Sequence, residues 1–350
     1  MFLSGKIENE AFEEVILKHC GFQRNEVSTG PGFGIDVSVI DLPGQMAMAL
    51  TSDPLSLIPS LGLQESAWLS VHLMANDMAT TGFAPMYVQM VLNLPVSLSK
   101  HDFKIYWHFV HKYCHEAGIS ITGGHTGGIE GQRSTIAGGG TMLLTAPKEK
   151  IRISKNAQAG NVIILTKECG ISSAAILAMS FPETVKNKLG KEIYDEGCRL
   201  FYQTSSLKDG LVAADNNSNF TEVTAMHDVT EGGVLGAVYE MAIASGNGVW
   251  VDNNNLPAGS TTQKICNLFE LDHRFCIGAG AMIIAAEKEK AQNVLQRLQQ
   301  NNISATVIGE FKEKQFGYKL IEDLVKKPMP YFSKDPYWDA FFLACNKGLK

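Results

Sequence analysis

The chain has 350 residues, 33 of them glycine, with 45% apolar and 19% charged residues and a formal net charge of −6. An ordinary apolar fraction excludes a disordered chain. An acidic balance without a strongly basic cluster lacks the electrostatic footprint of a nucleic-acid binder. Taken in chain order, Asn9 to Cys20 carries Phe12, Val15 and Ile16 at helical spacing and stops at Gly21, which predicts a short amphipathic helix. Val37 to Asp41 and Met46 to Thr51 alternate and are joined by Leu42-Pro43-Gly44-Gln45, a β-hairpin. Gln64 to Thr80 is helical, with Ala67, Val71, Met74 and Met78 on one face and Gly82 closing it. A strand follows at Met86 to Leu94 and a second helix at Ser99 to Ala117. Ile119 to Thr122 and Thr135 to Thr145 are strands around a glycine-rich turn. The first half therefore runs β-β-α-β-α-β-β, an α+β arrangement with helices on one sheet face.

Ala146 to Gly160, rich in Lys, Asn and Gln, reads as a seam, which places two domains at 1–150 and 151–350. The second restarts with a strand at Val162 to Thr166 and helical patterns at Ile171 to Met179, Lys191 to Gln203 and Ser206 to Asp215. Thr221 to Met226 is a strand leading into His227-Asp228, and Val234 to Ala244 is helical. Strands at Gly248 to Asp252, Ala281 to Ala286 and Ala305 to Phe311 accompany a helix at Lys288 to Gln300, a second α/β layer. The last twenty residues are aromatic-rich and are expected to dock back on a domain. No apolar run approaches the roughly 20 residues of a membrane helix. MFLSGKIENE turns polar after three residues, so no signal peptide is expected. Seven cysteines without a CxxC pair point to a reduced, cytoplasmic protein with neither a disulfide framework nor a zinc ribbon.

Four acidic positions stand beside glycine, proline or a polar partner at element ends. Asp36 closes Gly30-Pro31-Gly32-Phe33-Gly34-Ile35, and Asp53 sits in Thr51-Ser52-Asp53-Pro54. Asp77 follows Asn76 within an apolar helix, and Asp228 lies in His227-Asp228-Val229-Thr230-Glu231-Gly232-Gly233. Carboxylates from separate loops suit Mg²⁺, a hard cation that takes one or two of them plus phosphate oxygens. Three of them also have a plainer interpretation: a turn or cap at Asp53, a cap or solvated face at Asn76-Asp77, and an N-cap at His227-Asp228. Thr230, Glu231, Gly232 and Gly233 open a helix, where backbone N–H groups form an anion site. Gly123-Gly124-His125-Thr126-Gly127-Gly128 is either a phosphate-cradling loop or a flexible hairpin loop. His125 and His227 lack a second His or Cys at ligand spacing, so zinc is not expected. No GxxxxGK[ST] or GxSxG is present. Gly30-x-Gly32-x-Gly34 lacks the strand before it and the helix after it that a dinucleotide fingerprint requires.

The ordered set GPGFGID, TSDP, HLMANDMATTGFAP, ITGGHT, MHDVTEGG and VIGE, spread over residues 30 to 310, resembles the aminoimidazole-ribonucleotide synthetase (PurM-like) superfamily. It is most similar to the HypE-like, AIR synthase-related branch, through TSDP, NDMATTG and HDVTEGG. The resemblance implies a two-domain PurM-like fold whose N-terminal sheet pairs with that of a second subunit in a barrel-like homodimer core, with ATP between the domains. It implies phosphorylation of a small-molecule or protein-bound substrate, in several relatives on an amide or carboxamide oxygen. Asp36, Asp53 and Asp77 then hold Mg²⁺ on the triphosphate, and Asp228 reaches the same cluster or the acceptor. Thr51, Asn76, Gly123, Gly124, His125 and Thr126 contact the nucleotide. Thr230, Glu231, Gly232 and Gly233 form the acceptor or phosphate turn, and His227 and Asp228 are the candidates for catalysis.

Two departures narrow the activity. HypE acts through a cysteine at its very C-terminus, in a Pro-Arg-Ile-Cys-like tail, whereas Cys345 here is followed by Asn346-Lys347-Gly348-Leu349-Lys350. Selenophosphate synthetase carries a reactive Cys or selenocysteine in an N-terminal glycine-rich loop, and Gly30 to Ile35 has none. The leading expectation is an ATP- and Mg²⁺-dependent enzyme with an unidentified acceptor. The alternatives are a non-catalytic nucleotide-binding scaffold in cofactor or metalloenzyme maturation, and a thiamine-monophosphate-kinase-like enzyme. Lys6, in Gly5-Lys6-Ile7, reads as a solvated lysine or as one that reaches a phosphate.

Overall fold

The computed structural model describes residues 5–7, 9–216 and 222–350. Thr221, where one expected strand begins, lies outside them, as do Met1 to Ser4 of the N-terminal stretch. The first helix is irregular. α1 (Asn9–Ala11) passes into a π-helical turn over Phe12–Ile16 and a 3-10 turn over Leu17–His19, with no residue buried.

Six strands make the first sheet: β1 (Val27–Thr29), β2 (Ser38–Leu42), β3 (Met46–Ser56), β4 (Tyr87–Pro95), β5 (Ser120–Ile129) and β6 (Ile136–Pro147), in the order β1-β2-β3-β6-β4-β5. β2 and β3 form the expected hairpin, and only β4 and β5 among these pairs run parallel. β3 continues to Ser56, so Asp53-Pro54 is not a turn: Asp53 pairs with Gly140 inside the sheet. β1 supplies a short strand before Gly30 that the sequence did not suggest, yet the next element is β2, not a nucleotide-binding helix.

α2 (Leu63–Ala79) and α3 (Lys100–Glu116) cover one face of this sheet. The period-2 alternation of a strand sorts β4 accordingly: Val88, Met90 and Leu92 are buried against the helices while Tyr87, Gln89 and Val91 are exposed. Ser99 starts α3 by accepting the Asp102 N–H at 3.0 Å and donating to its carboxylate at 2.8 Å, which satisfies an N–H that the helix cannot.

The second sheet begins fourteen residues after the first ends, with β7 (Val162–Thr166). Helices α4 (Ile171–Ser180), α5 (Pro182–Leu189), α6 (Lys191–Leu200) and α7 (Leu207–Ala214) precede β8 (Val223–Asp228). Then come α8 (Gly233–Ser245), β9 (Gly248–Asp252), α9 (Ser260–Leu268), β10 (Met282–Ala286), α10 (Ala291–Gln300), β11 (Ala305–Lys312), β12 (Tyr318–Glu322), β13 (Val325–Pro328) and α11 (Pro336–Asn346). The sheet order is β13-β12-β9-β11-β7-β10-β8. β7 and β10 are buried along their whole length, with one core on the α8 side and another under α10, so their unbroken apolar runs are those of a sheet covered on both faces. The aromatic segment forms α11, whose Tyr337 and Phe341 join Phe181 and Phe269 in a further core. All seven cysteines are free. Among the described residues no helix is long and apolar enough to cross a membrane.

Candidate functional site

The acidic centre is assembled by four elements. Gly34, at φ +71°, lies on the backbone of α8 so closely that a Cβ would overlap the Glu240 carbonyl. This contact brings the loop across α8 and sets Asp36 beside His227. Thr51 and Asp53 share one face of β3 by the strand period, and the Thr51 hydroxyl donates to the Asp77 carboxylate of α2 at 2.7 Å. Asp228 ends β8, where its backbone is paired with Met282. Ligand atoms of Asp36, His227 and Asp228 lie within 4.8 Å of one another.

The charges explain what the centre can hold. Burial raises Asp77 well above the ordinary carboxylate range, and Asp228, Asp53 and Asp36 add to it against the Thr51 hydrogen bond. Burial and then Asp36 push Asp228 up to about 7, while His227 and Lys6 oppose them. Asp53 rises to about 6 for the same first reason, with Lys6 opposing and Glu231 reinforcing. Among the described residues, neither the Asp53 nor the Asp228 side chain receives a hydrogen bond. A set of buried, under-compensated carboxylate oxygens fits a hard divalent cation, and Mg²⁺ suits it better than a metal that seeks nitrogen or sulfur.

His227 stands at ligand distance from Asp36 and Asp228 and is held between two carboxylates. Its Nδ1 lies 2.7 Å from Asp36 Oδ1 and its Nε2 3.3 Å from Glu240 Oε2. Burial opposes its charge, but Asp36 and Glu240 outweigh burial and raise the imidazole to about 10. Its two ring nitrogens thus face two carboxylates, one on either side. Its role here is to orient Asp36, assisted by Ser154 Oγ at 3.2 Å from Asp36 Oδ2.

Several expected residues sit differently. Asn76 is fully buried with its amide committed: Nδ2 donates to the Thr204 carbonyl at 3.0 Å, and Oδ1 accepts the Ser206 N–H at 2.7 Å. It clamps the segment after α6 to α2. Gly123, Gly124, His125 and Thr126 are not a loop but the middle of the exposed edge strand β5. Gly124 is required there because a Cβ would overlap the Met90 carbonyl. It stands in register with Asp53 three strands away, through Met90 and Gly140, so about 14 Å separates the two backbones at 4.7–4.9 Å per strand.

The turn at Thr230, Glu231, Gly232 and Gly233 is not an open anion site. The Gly232 N–H donates to Asp335 Oδ2 at 2.6 Å, and the Gly233 N–H to the Thr230 carbonyl at 3.2 Å. A carboxylate of the chain itself thus caps the start of α8. Burial lifts Asp335 to about 7 despite the N–H groups of Gly232 and Tyr337. Lys6 is not simply solvated either, for its Nζ reaches Thr230 Oγ1 at 3.0 Å and Glu240 Oε2 at 3.4 Å. Glu240 and Asp335 escaped the sequence reading. Glu240 did leave a signal, as the one charged residue in the otherwise apolar Gly233–Ser245.

A cavity of about 250 Å³ opens beside this centre, walled by Phe33, Ile35, Asp36, Glu231, Tyr331 and Asp335 among others. Comparison with known proteins matches two family descriptions. "AIR synthase related protein, N-terminal domain" covers residues 34–143, and "AIR synthase related protein, C-terminal domain" covers residues 158–319. A hydrogenase expression/formation protein of Methanocaldococcus jannaschii is 25% identical over 335 residues, 92% of each chain. The carbamoyl dehydratase HypE of Escherichia coli is 26% identical over 273 residues, 73% of this chain and 75% of that one. A solved structure of the hydrogenase maturation protein HypE in complex with ATP superposes with a TM-score of 0.66 at 18% identity, over 96% of this chain and 98% of the other, which establishes the shared fold.

Proposed function

The chain belongs to the AIR synthase related protein family, and from that premise we propose that it is an ATP- and Mg²⁺-dependent enzyme. It would transfer the γ-phosphoryl group to an oxygen, amide- or carboxamide-like, of a small-molecule or protein-bound substrate. One observation supports this reading: ligand atoms of Asp36 and Asp228 lie within 4.8 Å of one another, and Asp53 and the Thr51-bonded Asp77 act on the same group of charges, with burial raising Asp53, Asp77 and Asp228. Asp36, Asp53, Asp77 and Asp228 are the residues that would hold the metal. Mg²⁺, if held there, would supply positive charge against that of the triphosphate.

The chain's own residues supply position. His227 and Ser154 fix the Asp36 carboxylate, Thr51 fixes that of Asp77, and Asn76 holds α2 to the second half of the molecule. In the transfer, the bond between the γ-phosphorus and the bridging oxygen breaks, and its electron pair stays on ADP. The acceptor oxygen forms the new bond, and any proton it loses passes to solvent. Catalysis of this kind rests on positioning and charge stabilisation more than on covalent help from the protein. We also propose that a second copy covers the open face of the first sheet, where Tyr87 and Val91 are 42% and 44% exposed beside the unpaired edge of β5.

The test is conversion of ATP to ADP by the purified protein with Mg²⁺, across an acceptor panel that includes thiamine monophosphate. Turnover that disappears in Asp53→Asn and Asp77→Asn supports the proposal. Tight ATP binding with no turnover across the panel contradicts it and favours a scaffold.

A further inference from the structure

The ligand spacing that His125 and His227 lack is present on α3. Four of the chain's nine histidines, His101, His108, His111 and His115, fall within its 17 residues, and all four are exposed. At about 100° per residue they share an arc of about 80°, opposite the buried Tyr106, Val110, Tyr113 and Cys114. We propose that His111 and His115 bind Zn²⁺, or a divalent transition metal of similar chemistry, through their imidazole nitrogens, with His108 as an auxiliary ligand.

The pair has the geometry of a chelate. Residues four apart stand one above the other on a helix face, with Cβ atoms about 5–6 Å apart. The ring centroids of His111 and His115 are 6.1 Å apart at an interplanar angle of 51°. Two imidazoles that share a metal at about 2.0–2.1 Å per nitrogen have centroids roughly 5 Å apart, so a shift of about 1 Å at the exposed rings completes the site. Little opposes that shift. Among the described residues, the side chains of His108, His111 and His115 make no hydrogen bond or ion pair, and His108 has only an edge contact with Phe109 at 5.5 Å between centroids and none with the other two rings.

The neighbouring charges leave room for a cation. Lys112, between the pair in sequence, is drawn aside, its Nζ 3.9 Å from Glu116 and 5.6 Å from the centre of the Tyr113 ring. Lys104 shares the arc but stands seven residues before His111, about 10 Å along the helix axis. Lysine or glutamate would keep this face solvated and favour the helix more than histidine does, so solubility alone does not account for four imidazoles there. Imidazole nitrogen suits zinc, copper and nickel, whereas Mg²⁺ takes oxygen. Ligand chemistry thus sorts the two proposed metals, and α3 contributes no carboxylate to the acidic centre, so the inference stands apart from the ATP reading.

The experiment is calorimetric titration of Zn²⁺ into the full-length protein in excess Mg²⁺, for wild type, His111→Ala, His115→Ala, the two substitutions combined, and His101→Ala. Alanine is the better helix former and all these positions are exposed, so the variants keep the fold. The wild type should show a binding event of one Zn²⁺ per chain. Each single substitution of the pair should weaken it at least about 10-fold, and the combined variant should lose it. His101→Ala, about 15 Å along the axis from His111, should leave the affinity unchanged. A wild type that takes up no Zn²⁺ would overturn the inference, as would a combined variant that binds like wild type. A loss in His101→Ala as large as that in His111→Ala would also overturn it. Each of these outcomes leaves the ATP reading untouched, because nucleotide binding is measured with Mg²⁺ alone.

Discussion

Asp77 is the residue at which function and stability conflict most directly. It is buried, and three other aspartates act to keep it from ionising. Asparagine would keep the Thr51 contact and remove the repulsion, so Asp77→Asn should raise the melting temperature of the metal-free protein by about 1–3 °C, while abolishing metal-dependent turnover. Differential scanning fluorimetry in EDTA checks the first half, and a lower melting temperature would contradict it. The pH dependence follows from the same residues. Asp53 at about 6, Asp228 at about 7 and Asp335 at about 7 all stand above their value of 3.8 outside the fold. At these three groups the folded protein holds more protons than the unfolded chain between about pH 4 and 7, so their contribution falls as pH rises through that window, while His72, lowered to about 4 by burial, opposes them below about 6.5. His227, raised to about 10 from 6.5, contributes stability that is present below 6.5 and lost on the way to 10. Melting temperatures in EDTA should thus decline from pH 5 to pH 8, and added Mg²⁺ should flatten the decline; a rise over that range would contradict the account. The aspartates were legible because each stood beside glycine, proline or a polar partner, Asn76 for Asp77 and His227 for Asp228. The tasks of Lys6 and Glu240 were not, because their contact spans 234 residues and nothing local announces it.

The element that ties the site together is α2. Trp68, His72 and Asn76 recur every four residues on one face and bond the consecutive Thr204, Ser205 and Ser206. Asp77, one residue on, turns to the acidic centre. The helix itself followed from its apolar spacing, and Asn76-Asp77 stood out within it, but the clamp became visible only when the segment after α6 was brought against it. Asn76→Ala strands a buried carbonyl and a buried N–H, and it should cost about 2–4 kcal/mol in urea denaturation. A cost near zero would show that the clamp is not needed. β5 carries the opposite lesson. Its glycines suggested a loop because glycine weakens strands, yet the close approach of the Met90 carbonyl explains why Gly124 belongs to one. The strand β3 was likewise longer than its hairpin signal, since Pro54 sits within it without ending it. Proline lacks only one donor and is tolerated where no ladder bond needs it.

At the scale of the whole molecule, the two sheets meet around the acidic centre, and the chain's two ends converge on Glu231 from opposite directions, Lys6 through its N–H and Trp338 through its indole. The open face of the first sheet is the feature that the single chain leaves unexplained. A charge placed there, as in Val91→Glu, should turn the proposed homodimer into a monomer by light scattering without lowering the melting temperature of the protomer; a monomeric wild type would contradict the proposal. In the proposed function the aspartates hold a metal, and the metal holds a nucleotide. This is tested most directly by calorimetric titration of AMPPNP into the wild-type protein with Mg²⁺, then with EDTA, and then into Asp53→Asn and Asp77→Asn with Mg²⁺. Binding is expected with Mg²⁺ and should weaken at least about 100-fold in EDTA and in both variants. Affinity that is the same in EDTA, or unchanged in the two variants, would contradict it.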